Sequence, residues 1–110
     1  MNALDPLAAA RAALSANPNR PATAVIHDSE DVRLVVFRLA PGQLVPPHTS
    51  HSTVTISVLE GSGILSGGDS ERRCVQGDVI TYDRNEQHGM RATDQELLLL
   101  ATIAPRPGNR

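Results

Sequence analysis

The chain has few aromatic residues and no long apolar run. Among its 110 residues there is no tryptophan, one phenylalanine and one tyrosine, so the core must be built from Val, Ile, Leu and Ala. The apolar run Leu97–Ala101 is far too short to span a membrane, which takes about 20 residues. The N-terminus has no basic segment leading into an apolar stretch, so we expect no secretory signal.

The sequence also contains little cysteine and no large excess of positive or negative charge. Cys74 is the single cysteine, which excludes an internal disulfide and fits a reducing, cytoplasmic compartment. We expect it to be a half-buried strand thiol rather than a nucleophile. Ten basic residues against twelve acidic ones give a formal net charge of −2, and the basic residues form no cluster. We therefore expect no nucleic-acid partner and no membrane-surface partner.

The first part of the sequence predicts one short helix. Asp5–Pro6 is a good helix start, because the aspartate can cap the first turn and proline fits the first helical position. Asn17–Pro18 would end the helix. Three leucines would share its apolar side: Leu4, Leu7 and Leu14. We assign residues 1–20 to an N-terminal helical extension.

From Ala22 onward the sequence predicts strands. Short β-branched and alternating runs recur at intervals of about 8–12 residues, which is typical of a sandwich or small barrel. Glycine-containing turns are expected at Gly61–Gly63, Gly67–Asp69 and Gln76–Asp78. The predicted strands are Thr23–His27, Val32–Ala40, Val54–Leu59, Ile64–Ser66, Arg72–Val75, Val79–Tyr82, His88–Ala92 and Glu96–Ile103.

Two histidine-bearing segments are the main chemical signal. The first, Pro46–His51, contains His48 and His51 and leads into an alternating strand. The second begins at Gly77 and contains His88. Histidine is the commonest metal ligand, and a small barrel can bring distant strands together around one ion. His27 has no matching partner, so we expect it to be structural.

These segments resemble the two motifs of the cupin family. In the first motif, Gly42 is followed by five residues and then His48, and Gly61 closes the motif at the expected distance. Ser50 stands where the family has its second histidine, and Val54 stands where it has glutamate. The metal motif is therefore degenerate.

In the second motif, Gly77 and His88 fit the spacing. Asp83, Asn85 and Ala92 replace the family's proline, glycine and asparagine. The resemblance implies an all-β fold, a single cupin β-barrel of the jelly-roll type. We place the barrel at residues 21–104 and a C-terminal tail at 105–110.

The resemblance also implies a divalent transition metal, which could be Zn, Fe, Ni, Cu or Mn, held by His48 and His88. His51 would join them only if a bulge near Thr49–Ser50 turned it inward, because in a regular strand it points away from the face of His48. With His51 the set would resemble the three-histidine sites of cupin-like dioxygenases.

A small-molecule pocket is expected around these ligands. Tyr82 is a candidate for proton transfer, and five further residues could line the pocket: Ser50, Val54, Arg84, Gln87 and Arg91. Three functions remain open: a metal-dependent dioxygenase or isomerase of a small organic anion, a non-catalytic binding or sensor protein, and a metal-free structural cupin. Because sheet edges tend to pair, we expect a homodimer formed by the early strands, with or without the N-terminal helix at the interface.

Overall fold

The computed structural model describes residues 1–108. This part of the chain contains no helix that is long and apolar enough to span a membrane. It forms one helix and eight strands: α1 (Pro6–Ala12), β1 (Ala22–Asp28), β2 (Arg33–Leu39), β3 (Leu44–His48), β4 (Thr53–Gly67), β5 (Ser70–Val75), β6 (Val79–Tyr82), β7 (His88–Arg91) and β8 (Leu97–Ala104).

All eight strands join one antiparallel sheet that curls on itself. The main path runs β1-β2-β8-β4-β7-β3, and β5 and β6 also pair with β4. The first half of β4 pairs with β6 and β8, whereas its second half pairs with β5 and β7. The predicted all-β barrel with one short helix is confirmed.

The sheet buries side chains on both faces. The inner face holds the main core: Leu39, Val54, Ile56, Val58, Leu65, Cys74, Tyr82, Met90, Ala92, Leu97, Leu99 and Ala101. On the outer face, Ala10 of α1 packs against Val36 and Leu98. Alternation along the strands explains the division, because neighbouring residues point to opposite faces. Cys74 is fully buried, and burial raises the pKa of its thiol.

The helix begins as predicted but ends early. Asp5 caps it by accepting a hydrogen bond from the backbone N–H of Ala8 at 3.1 Å, and the helix ends at Ala12 rather than near Asn17. Arg38 of β2 donates to the carbonyl oxygen of Arg11 at 2.7 Å and thereby satisfies one of the free carbonyls of the last turn. The chain is extended at the next residue, so of the three predicted leucines Leu7 packs against the outer-face cluster, whereas Leu14 is 89% exposed.

Strand β3 was not predicted from the sequence, because Pro46 and Pro47 lie within it. Proline lacks the N–H that a central strand needs, but an edge strand tolerates it. β3 is such an edge strand, at the end of the path and paired only with β7 among the described strands. Its register is irregular between Val45 and His48.

The turn predicted at Gly61–Gly63 is wrong, because β4 continues through it. Gly61 has a φ of +80°, and a Cβ there would lie 1.9 Å from the backbone oxygen of Glu96. The glycine thus allows two strands to approach closely while β4 passes from one half of the sheet to the other. The turns predicted at Gly67–Asp69 and Gln76–Asp78 do connect strands.

The division into residues 1–20, 21–104 and 105–110 stays a prediction. Residues 105–108 pack near one end of the barrel, where Pro107 lines the same cavity as residues of β2 and β8. The last two residues of the predicted tail, 109 and 110, lie outside the described residues.

The close approach at Gly61 predicts a large loss of stability in Gly61→Ala. We expect the free energy of unfolding to fall by about 3 kcal/mol or more, because left-handed backbone strain and a steric clash add. Gly42→Ala is the matched control, since Gly42 has a φ of +85° but nothing within 4 Å of an added Cβ. It should cost only the strain, about 1–2 kcal/mol. Urea denaturation measures both values, and equal losses would contradict the clash.

Candidate functional site

His48 and His88 lie opposite each other on paired strands. They are register partners where β3 meets β7. Their ring centroids are 4.1 Å apart, and the rings meet edge to face at 63°. Two histidines that are distant in sequence therefore lie side by side, as their positions in the two motifs predict.

Backbone carbonyls orient both rings. Nδ1 of His48 lies 3.1 Å from the carbonyl oxygen of Pro46, and Nδ1 of His88 lies 3.1 Å from that of Glu86. A carbonyl oxygen only accepts hydrogen bonds, so each Nδ1 carries a proton and donates it. In a neutral ring, Nε2 then has the free lone pair. This arrangement is typical of metal-binding histidines, whose second nitrogen donates to a carbonyl or carboxylate.

The two histidines differ in exposure. His48 is exposed, whereas His88 is only 4% exposed. Burial lowers the pKa of His88, and the hydrogen bond to the Glu86 carbonyl opposes this effect. The nearby His48 lowers the pKa further. A lowered pKa keeps His88 neutral, which is the form that binds metal ions.

Tyr82 contacts the His88 ring, with centroids 5.0 Å apart. It is buried in the main core, next to Cys74, and does not line the cavity that holds the histidines. Burial raises the pKa of Tyr82 to about 12, and the carboxylate of Glu86 acts in the same direction. At neutral pH its phenol is therefore protonated and is a poor base.

A cavity of about 250 Å³ adjoins the histidine pair at the inner face of the sheet. It includes Val54 and Ile56, which are buried as the alternation of β4 predicts. The lining is mostly apolar and contains no carboxylate among the described residues: Phe37, His48, Thr49, Ser50, Val54, Ile56, His88, Met90, Ala101, Ile103 and Pro107. We call it the histidine cavity.

His51 does not join the pair in the histidine cavity. The inward position of His51 required a bulge near Thr49–Ser50, but the irregularity lies between Val45 and His48, and β3 ends at His48. His51 is exposed and lines a separate hollow of about 540 Å³, which we call the outer hollow. Residues 49–52 form a loop, so strand alternation did not apply to them.

The other predicted pocket residues lie in different places. Val54 lines the histidine cavity, Arg84 lines the outer hollow, and Ser50 lines both. Gln87 is exposed, and its backbone carbonyl accepts a hydrogen bond from Gly68. Arg91 forms an ion pair with Glu71 at 3.4 Å on another part of the surface.

The side chains at the histidine cavity fit a metal site with two protein ligands. Within residues 1–108, no group of three or more His, Cys, Asp or Glu side chains could hold a metal ion. Val54, at the position of the family's glutamate, offers no donor atom. The carbonyl-oriented rings of His48 and His88 provide two imidazole donors, and further ligands would have to come from solvent or a bound small molecule.

Sequence reasoning missed the role of the C-terminal segment. Pro107 lines both the histidine cavity and the outer hollow. The Ser52 hydroxyl donates to the carbonyl oxygen of Pro105 at 2.6 Å, and Arg106 binds both carboxylate oxygens of Asp28 at 2.6 and 3.0 Å. Asp28 and Arg106 are 78 positions apart, so no local pattern indicates their pairing.

Comparisons with known proteins establish the family. Residues 35–103 match the cupin domain, and the chain therefore belongs to the cupin family. No curated protein matches the chain. A similar solved structure, an RmlC-like cupin protein from Desulfovibrio desulfuricans, is 30% identical, with 96% of this chain and 97% of that chain covered and a TM-score of 0.80.

Two further structures are similar. The protein TT1209 from Thermus thermophilus is 27% identical, with 88% of this chain and 94% of that chain covered and a TM-score of 0.80. A predicted oxalate decarboxylase from Thermotoga maritima is 22% identical, with 77% and 80% covered and a TM-score of 0.73. This last likeness shows the fold alone.

The Asp28–Arg106 contact predicts a pH-dependent contribution to stability. Hydrogen bonds from Arg106 and then Arg33 lower the pKa of Asp28 from 3.8 to about 2. Because the folded pKa is the lower one, the contribution is present above the unfolded pKa and is lost as the pH falls through the folded pKa. The difference in unfolding free energy between wild type and Asp28→Asn should therefore be largest above pH 3.8 and should decrease as the pH falls to about 2.

Urea denaturation over this pH range measures that difference. Asp31→Asn is the control, because Asp31 is exposed and its replacement removes the same charge next to β2 without breaking an ion pair given by the structure. A difference between Asp28→Asn and wild type that is the same at both ends of the range would contradict the assignment.

Proposed function

We propose that the histidine cavity binds a divalent transition metal ion, Zn, Fe, Ni, Cu or Mn, through His48 and His88. We further propose that it accepts a small organic anion, with oxygenation or isomerisation as the reaction classes. The observation that supports this function is the orientation of both rings by backbone carbonyls, which leaves a free Nε2 on each. A bound ion would supply Lewis acidity toward a carbonyl or carboxylate oxygen.

The size and lining of the cavity support a small ligand. Its volume of about 250 Å³ is below the usual range of drug-sized pockets, about 300–1,000 Å³. Side chains such as Phe37 and Ile103 would pack against an apolar body and exclude water. Val54 replaces the acidic ligand of the family motif, and the described lining holds no carboxylate that would repel an anion. The likeness to a predicted oxalate decarboxylase is compatible with this substrate class but shows only the fold.

A second candidate is a non-catalytic small-molecule binding or sensor protein, with or without metal. It is favoured by the scarcity of acid–base groups. Among the described residues that line the histidine cavity, His48 and His88 are the only acidic or basic side chains. Tyr82 lies outside the lining, and its raised pKa of about 12 makes it a poor base.

Oxygen uptake and product analysis distinguish the two candidates. Metal-loaded protein would be offered a panel of diketones, thiols and enols. Conversion that is lost in His88→Ala supports the enzyme. Ligand binding without conversion of any member favours the binding protein.

We propose a cytoplasmic homodimer without nucleic-acid or membrane partners. The supporting feature is the β1 edge, which has no partner strand among the described residues. Val25 of β1 is 56% exposed, which is high for a β-branched residue in a strand. A second copy that pairs along this edge would cover it.

Metal content is the direct test of the histidine pair. Protein purified without a histidine tag should contain nearly one metal ion per chain. His48→Ala or His88→Ala should each lower the metal content about tenfold or more, because a site with two protein ligands loses half of them. Elemental analysis after dialysis against each candidate metal measures this, and circular dichroism checks that the variants fold.

His51→Ala is the matched control for the metal analysis. Its side chain lines the outer hollow rather than the histidine cavity, so the metal content should equal that of wild type. Wild-type protein that takes up none of the five metals would overturn the metal proposal. A loss in His51→Ala as large as in His48→Ala would show that the loop rearranges to supply a third ligand.

The homodimer is tested by replacing a residue at the β1 edge. Val25→Asp places a charge where a second copy would pack, so it should shift the protein from dimer to monomer in light-scattering measurements. Val79→Asp is the control, because Val79 is 62% exposed but lies on β6, away from this edge. A monomeric wild type, or a dimer that Val25→Asp leaves intact, would refute the β1 interface.

A further inference from the structure

The outer hollow is formed by three segments that hydrogen bonds tie together. The N–H of Asn85 donates to the carbonyl of Ser50 at 2.8 Å, and the Ser52 hydroxyl donates to the carbonyl of Pro105 at 2.6 Å. The walls are therefore fixed relative to one another. They consist of polar and small residues: Thr49, Ser50, His51, Ser52, Arg84, Asn85, Pro105, Arg106, Pro107 and Gly108.

The charge of the outer hollow is positive. Its described lining contains two arginines and one histidine but no carboxylate. Among residues 1–108, Arg84 has no ion-pair partner. The neighbouring acidic residue Glu86 accepts a hydrogen bond from the N–H of Asp83 at 3.0 Å. Arg84 thus forms no ion pair in the described part of the chain, although the exposed carboxylates of Asp83 and Glu86 lie close to it in sequence.

Arg106 adds to this charge although it is paired. Its carboxylate partner, Asp28, also binds Arg33 with contacts of 3.3 Å. Two guanidinium groups share one carboxylate, so the three side chains together carry one positive charge. By contrast, Arg91 has its own carboxylate in Glu71. The contact that holds the C-terminal segment therefore leaves the hollow positive.

The outer hollow adjoins the histidine cavity. Thr49, Ser50 and Pro107 line both spaces. The cavity is mostly apolar and holds the histidine pair, whereas the hollow is polar and positively charged. A ligand with an apolar body and an anionic head matches both spaces at once.

We propose that the outer hollow is the anion-binding subsite of the histidine cavity, where Arg84 binds the carboxylate of a small ligand whose apolar body occupies the cavity. This inference rests on the proposed function, because the ligand is the small organic anion proposed there. A guanidinium group can bind a carboxylate through two parallel hydrogen bonds, which fixes its orientation as well as its position. Arg91, the other arginine predicted to line the pocket, forms an ion pair with Glu71 and lines neither space.

The test uses straight-chain carboxylates from propanoate to hexanoate, each compared with its uncharged amide. Binding to the full ¹⁵N-labelled chain is followed by NMR titration, with and without zinc, and the backbone amides of Ser50 and Asn85 report on the hollow. At least one carboxylate should bind wild type about tenfold or more tightly than its amide, because only the carboxylate forms charge-assisted hydrogen bonds. Arg84→Gln should remove this preference and leave amide binding unchanged.

Arg72→Gln is the matched control, because Arg72 is an exposed arginine on β5 that lines neither space. It should keep the preference for carboxylates. The inference is overturned if Arg84→Gln also keeps it, or if no carboxylate binds better than its amide.

Comparing the titrations with and without zinc shows whether a failure concerns this inference or the proposed metal site. A preference that survives Arg84→Gln but disappears without zinc would mean that the carboxylate binds the metal, which overturns the subsite and supports the metal site. A preference that depends on Arg84 with or without zinc supports the subsite even if the metal proposal fails.

Discussion

The course of strand β4 determines the rest of the structure, because four other strands pair with it. β4 can serve both halves of the sheet only by continuing through Gly61, where the Glu96 carbonyl occupies the space of a side chain. Its first half then contributes Val54 to the histidine cavity, and its second half pairs with β7, placing Gly67 beside His88. One close backbone approach thus aligns the elements that form the site.

Much of the fold could be predicted because strand periodicity and turn residues are local signals. Those signals failed where one residue type serves two purposes. A glycine with positive φ can end a strand, as at Gly68, or allow a close approach within one, as at Gly61. Prolines usually exclude a strand, but β3 is an edge strand whose outer side needs no donors, and its register is irregular between Val45 and His48, where Pro46 and Pro47 lie.

The candidate site was predictable only where strands hold it. His48 and His88 were placed together by their motif positions, and the β3–β7 register does bring them together. The position of His51 depends on a loop, for which alternation gives no information. The Asp28–Arg106 contact joins residues 78 positions apart, so only the folded structure reveals that the C-terminal segment borders the site.

Strands and loops contribute different properties to the two adjoining spaces. The histidine pair and most of the apolar lining lie on paired strands, so their positions are fixed by the sheet. The outer hollow is formed by residues of loops, including Arg84 and His51. A fold by itself does not determine function, and substitutions in loops change ligand contacts with little effect on the sheet. If the proposed ligand binds here, its selection should therefore depend on residues 49–52, 84–85 and 105–108, while the sheet keeps the two imidazoles in place.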